Sequence, residues 1–147
     1  IPFLQVDDLW PENNLNCLLD GLLRDPGFDA LRGYGQLARW TGESRRLDYI
    51  GNPGEAFPDY IGACLYRRAA FTKVGLFDAD LQFGEDTDWF TRARECGLRI
   101  ERLDQVTLFV RRHDNNMTRG KSMIELNALR VFKKTLDRRR GREAAPP

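Results

Sequence analysis

The sequence predicts an α/β protein, a mixed sheet with helices on its faces. Three observations predict it. Apolar runs at residues 1–6, 30–40, 60–66, 98–103 and 106–111 alternate with stretches of helical periodicity. Glycine and proline punctuate the junctions between them. At 147 residues, 41% hydrophobic and 31% charged, the chain is a single domain large enough to bury a core.

The elements follow in order. Residues 1–6 read as a core strand already under way, so the chain reads as the later part of something larger. Residues 7–11 form a loop whose Pro11 suits the first turn of a helix. That helix covers residues 12–24, with Leu15, Leu18, Leu19, Leu22 and Leu23 as its apolar stripe, and Asp25-Pro26-Gly27 stops it. The strand at 30–40 contains Gly33 and Gly35, which weaken it. Residues 42–58 are rich in turn formers and read as irregular. A short strand at 60–66 precedes a helix at 68–74 ended by Gly75, and a loop spans 77–84. A helix at 86–96 has Gly97 in the place of a C-terminal cap. Two strands follow at 98–103 and 106–111, then a polar loop at 114–120. The last helix, residues 122–139, presents Ile124, Leu129, Phe132 and Leu136 on one face. This divides the chain into a body (1–120), an amphipathic basic helix packing on it (121–140) and a disordered tail (141–147).

Net charge is +1, which argues against a polyanion binder. The charge is uneven: residues 121–143 hold eight Lys/Arg against three Asp/Glu, or +5, which leaves −4 on the rest. Arg138-Arg139-Arg140 and Arg142 lack interleaved aromatics, so no nucleic acid partner is expected. Two readings of this helix stand open. Its apolar face packs on the sheet with the cations solvated, or it touches an anionic membrane surface. No apolar run approaches the roughly 20 residues of a membrane span. Cys17, Cys64 and Cys96 have no metal-ligand spacing and read as free thiols of a reducing compartment.

Two acidic clusters and one histidine carry the chemistry. Asp7-Asp8 follows an apolar run, where a hard cation would find oxygen ligands. Asp8 equally suits a helix cap. Glu85-Asp86 and Asp88 follow Gly84 at the start of a helix. Asp86 suits an N-cap, and all three complement the helix dipole. Three carboxylates in four residues also raise one another's pKa and make a base able to act on a hydroxyl. His113, the single histidine, lies in a polar loop after a strand, where an imidazole can serve manganese.

Four segments carry a family resemblance. Phe3-Leu4-Gln5-Val6-Asp7-Asp8-Leu9-Trp10-Pro11 resembles the metal-binding FLDADDxWxP segment of family 2 glycosyltransferases. Gly62-Ala63-Cys64-Leu65-Tyr66-Arg67-Arg68, with Phe71, Val74-Gly75 and Phe77-Asp78, resembles their acceptor-side stretch. Gly84-Glu85-Asp86-Thr87-Asp88-Trp89-Phe90 with Arg92 resembles GEDxDLxxR, which holds the catalytic base. Arg111-Arg112-His113 with Asn116 and Thr118 resembles YRxHxxNxS, near the end of the catalytic domain. The segments stand in the family's order over residues 1–120.

The resemblance implies a partial GT-A fold lacking its N-terminal half, and inverting transfer from a nucleotide-sugar, commonly UDP-linked, to a glycan or lipid-linked acceptor. Asp7 and His113 fall on metal-binding positions for manganese or magnesium, with Asp8 and Gln5 on the donor side. Asp86 falls on the base, and Glu85 orients it or the acceptor. Gly62, Ala63, Asp88 and Arg111 fall on the acceptor side. The implied place is cytoplasmic, at the inner face of a membrane. Gln5 departs from the family, standing where the first Asp of its DxD motif is usual. The family's first strands and the Asp that reads uracil are missing, so this stretch alone is expected to be inactive and to self-associate through an open sheet. Two rival readings remain: an inactive binding module derived from such an enzyme, and a nucleotidyltransferase with carboxylates around a metal.

Overall fold

The computed structural model describes residues 1–42, 46–55, 59–114, 116, 120–122 and 127–143. Ile124, Thr118 and the last four residues of the tail lie outside the described residues. The architecture is mixed α/β, a four-stranded sheet flanked by helices.

Strand β1 (Ala30–Thr41) is the hub of the sheet. Strand β4 (Ile100–Arg111) runs parallel to it along one edge, from Ala30↔Ile100 to Ala38↔Arg111. The other edge is shared by β3 (Cys64–Tyr66), antiparallel from Ala30↔Tyr66, and β2 (Arg46–Ile50), antiparallel from Leu37↔Ile50. Alternation along β1 sends successive residues to opposite faces. Ala30 joins a core with Tyr66, Ala70, Phe71, Trp89 and Phe90, which come from β3, α2 (Arg68–Val74) and α3 (Glu85–Glu95). Leu31 joins Leu18 and Leu22 of α1 (Asn14–Arg24) with Leu65. The sheet therefore has helices on both faces, as the period-2 pattern of β1 requires.

Several expectations need correction. Residues 1–6 form no strand: Pro2 makes one bridge to Leu65, while Leu4 and Val6 are exposed. Only Phe3 turns inward, edge-on to Tyr66, Phe71 and Phe77. Within the stretch read as irregular, β2 pairs with the end of β1. The two strands expected at 98–103 and 106–111 are one, β4, with register shifts where Arg102 and Val106 oppose Arg32 and Tyr34. Asp104-Gln105 is thus a bulge within one strand rather than a break. On α1 the five-leucine stripe is wider than the sheet can cover: Leu18 and Leu22 are buried, Leu15, Leu19 and Leu23 exposed.

The final helix, α4 (Ala128–Glu143), begins later than expected, and Gly141 to Glu143, read as tail, continue it. It docks by its polar face. Leu129 and Phe132, expected to pack inward, are 63% and 61% exposed, and Val131 is buried instead. Arg138 donates to Asp88 and Glu95 of α3, and Lys134 pairs with Asp78. These cations are therefore not merely solvated.

The glycines of β1 are there for close approach rather than as weaknesses. A methyl group on Gly33 would lie 2.4 Å from the Gln105 carbonyl oxygen on the β4 bulge. One on Gly35 would lie 2.5 Å from the Tyr60 ring. Gly33→Ala is expected to lower stability in urea unfolding by about 1–3 kcal/mol, the usual cost of overpacking. A variant as stable as the parent would show that β4 can shift without cost.

Candidate active site

The parallel pairing of β1 and β4 brings their C-terminal ends together. The loop carrying Asp7-Asp8 is clamped there by a two-bond bridge. The Leu9 N–H donates to the Phe109 carbonyl (3.1 Å) and the Phe109 N–H to the Leu9 carbonyl (2.8 Å). Arg111, the last residue of β4, reaches back over this loop. Its N–H donates to Asp8 Oδ1 at 3.1 Å and its Nε to the Asp7 carbonyl at 2.6 Å. Two residues on, His113 Nε2 lies 3.1 Å from Asp7 Oδ2. Asn116 holds this turn. Its Oδ1 accepts from the His113 N–H (2.6 Å), and its Nδ2 donates to the Arg111 carbonyl (3.0 Å).

The two aspartates differ in character. Asp7 and His113 have side chains about one-third exposed and open to solvent. Asp8 is 6% exposed, and burial first, then the neighbouring Asp7, pushes its carboxyl up to about 6 against the pull of the Arg111 N–H. Asp8 does not cap α1, whose N-cap is Asn13 with no side-chain cap bond. The Gln5 side chain is exposed, and its backbone carbonyl accepts from the Asp8 N–H.

Asp7 and His113 are the described residues that could hold a divalent cation between them. Neighbouring ligand atoms on an octahedral ion bonded at about 2.1 Å stand roughly 3 Å apart, the separation seen here. A carboxylate oxygen and an imidazole together suit manganese better than calcium. Among the described residues no group of three His, Cys, Asp or Glu side chains converges to hold a metal. Water or ligand oxygens would have to complete the coordination, a common arrangement for hard cations.

A shallow cleft of about 250 Å³ opens beside the pair, lined by Arg39, Ile50, Arg112, His113, Asp114 and Asn116. Arg39 was not singled out from the sequence, and Arg112 only as part of the segment around His113. The signal was in the pairing: Ala38 is in register with Arg111, and the Arg112 N–H donates to the Ala38 carbonyl at 2.7 Å. Arg39 on β1 and Arg112, just past the end of β4, thus stand side by side at the mouth of the cleft.

Asp86 occupies a different neighbourhood. Gly84, in the left-handed conformation (φ 76°), holds the N-cap position of α3, so Asp86 lies in the first turn and is not the cap. Its Oδ1 accepts from the Thr87 N–H at 2.7 Å. Burial is the main cause that pushes its carboxyl up to about 6, with the charges of Glu85 and Asp59 adding to it. Asp59 is itself buried between Arg32 and Arg94. Asp88 is 1% exposed and held by Arg92 (2.8 Å) and Arg138 (3.0 Å). Those pairs give it a structural task, tying α3 to α4.

The segment Ile61–Tyr66 runs between the two neighbourhoods. Gly62 and Ala63 are buried, and their carbonyls accept from Trp10 Nε1 (3.0 Å) and Thr107 Oγ1 (2.8 Å). At its other end, burial above all pushes the Tyr66 phenol upward, with the charges of Cys64 and Asp86 adding to it. The structure therefore gathers Asp7, Asp8, Arg111 and His113 into one cluster, and Asp86 with Glu85 into a second. No family model matches the chain, and no curated protein matches it.

Proposed function

We propose that this chain carries the metal-binding and base-bearing part of an inverting glycosyltransferase, similar to family 2, that takes a sugar from a nucleotide-sugar, commonly UDP-linked. The observation that carries this reading is the meeting of Asp7 and His113 at 3.1 Å across 106 positions of chain. The two segments that resemble the family's metal-binding motif and its terminal histidine motif thus converge on one point. The cleft beside them supports it, because Arg39 and Arg112 offer the charge that a diphosphate needs.

In this reading Asp86 accepts the proton of the acceptor hydroxyl, whose oxygen then attacks the anomeric carbon from the face opposite the leaving diphosphate. Burial, with the charges of Glu85 and Asp59 adding to it, pushes the Asp86 carboxyl up to about 6, which suits a base. Arg39 and Arg112 attract the departing diphosphate. A divalent ion held by Asp7 and His113 would neutralise part of the charge that develops there. Arg111 fixes the Asp7 loop through the Asp7 carbonyl and the Asp8 carboxylate, and so sets where the Asp7 oxygens point.

The test is calorimetry of a UDP-sugar with manganese, using the complete protein. Asp7→Ala is expected to weaken metal-dependent donor binding by about tenfold or more. The side chain is one-third exposed, so the fold should survive. Unchanged affinity would remove Asp7 from the donor site and leave its pair with His113 as a surface contact.

A further inference from the structure

The rotation of α4 is fixed by its inner face. Asn127 Nδ2, at the head of the helix, donates to the Phe83 carbonyl (3.3 Å) and Arg130 to the Asp80 carbonyl (2.8 Å). Lys134 pairs with Asp78, and Arg138 reaches both Asp88 and Glu95 at 3.0 Å. These residues recur every three or four positions and so line one side of the helix. Val131 lies among them and is 5% exposed. The residues on the opposite side are therefore turned outward: Leu129, Phe132 and Arg140, with Lys133 between them and Leu136 half-buried.

A leucine and a phenylalanine exposed among cations are side chains that a lipid–water interface can accept. We infer that α4 docks this face on an anionic lipid surface, with Phe132 and Leu129 entering the headgroup boundary and Lys133 and Arg140 meeting lipid phosphates. The inference does not depend on the proposed catalytic activity.

Charge decides the occupant. Of the exposed side chains on this side, Lys133, Arg139 and Arg140 are cations and, among the described residues, Asp137, paired with Lys133 at 2.6 Å, is the one acid, so three positive charges face one negative. That exposed pair is weak and yields easily to a lipid phosphate. A second copy of the chain would set Lys133 and Arg140 against their own kind, which disfavours self-pairing through this face. Among the described residues no helix is long and apolar enough to cross a membrane, so the contact is peripheral.

Co-sedimentation of the whole chain with vesicles tests this. Mixed phosphatidylcholine–phosphatidylglycerol vesicles at low salt should carry the protein down, and pure phosphatidylcholine vesicles should not. Lys133→Glu and Arg140→Glu should each lower the partition by about fivefold or more, the effect of losing one cation at such a surface. Phe132→Ser should also lower it, while circular dichroism shows the same fold, because the side chain is 61% exposed. Raising the salt should release the protein. The inference is overturned if the protein stays in solution at low salt, or if the folded variants sediment as the parent does. It is also overturned if ultracentrifugation finds a dimer that Phe132→Ser dissolves, because the face then belongs to a second copy.

Discussion

On the proposed transferase reading, Asp86→Asn is expected to leave the protein folded and able to bind donor, and to lower the rate of sugar transfer by roughly 10²–10⁴-fold, the usual contribution of a positioned base. The asparagine keeps the oxygen that accepts from the Thr87 N–H but cannot take a proton. In the parent the transfer rate should climb as pH rises toward about 6 and then level off, because the carboxyl is pushed up to about 6 and acts as a base only when ionised. Stability moves the other way. The folded carboxyl holds its proton more tightly than the unfolded one, so ionising it disfavours the folded state. This burden is absent below the unfolded value of 3.8, grows as pH rises, and is complete above about 6. Asp86→Asn removes it, so the variant should melt no lower than the parent above about pH 6, with any gain vanishing toward about pH 4. Transfer at near-normal rate would show that Asp86 is not the base, and Glu85 would be the next residue to replace.

Trp89→Ala is expected to cost about 3–5 kcal/mol in urea unfolding, a large part of the stability of a domain this size. The ring is wholly buried and packs against Tyr66, Phe71, Phe77 and Phe90 with centroids 5.0–5.9 Å apart. Its Nε1 also donates to the Gly75 carbonyl at 2.9 Å. The truncation leaves both a cavity and an unpaired carbonyl, and no neighbour can fill the space without leaving its own ring contacts. Trp89→Phe should cost less, since it keeps most of the ring volume. A loss near 1 kcal/mol for Trp89→Ala would mean that α3 collapses readily onto the sheet.

Helices were legible where glycine marks their ends. Gly75 and Gly97 both adopt positive φ just past α2 and α3, and those elements lie within a residue of their expected bounds. Strand β2 escaped notice because Arg46–Ile50 is flanked by turn residues and half of it is polar, so no period stood out. The docking face of α4 was misread for a related reason. Amphipathic patterning assumes that apolar residues face inward, and here buried acids, Asp88 and Glu95, offer the inner surface a better partner for arginine than for leucine. In the site, Asp7, Asp86 and His113 were visible as chemical types in suggestive places. Their distances were not, because the meeting of Asp7 with His113 depends on how β4 ends beside the Leu9 bridge. The buried ties of Asp88 were equally out of reach, since Arg138 approaches from 50 positions away.

The hub position of β1 also governs how the chain must come into being. Every strand of the sheet pairs with β1, and its longest partner lies about seventy positions downstream. During synthesis β1 can pair early with β2 and β3, but its other edge stays open until residues 100–111 have left the ribosome. Closing so long a loop carries a large entropic cost before any contact offsets it, so a slow final phase should dominate folding. In the interval a strand of twelve residues presents an unpaired edge, which is open to pairing with another chain.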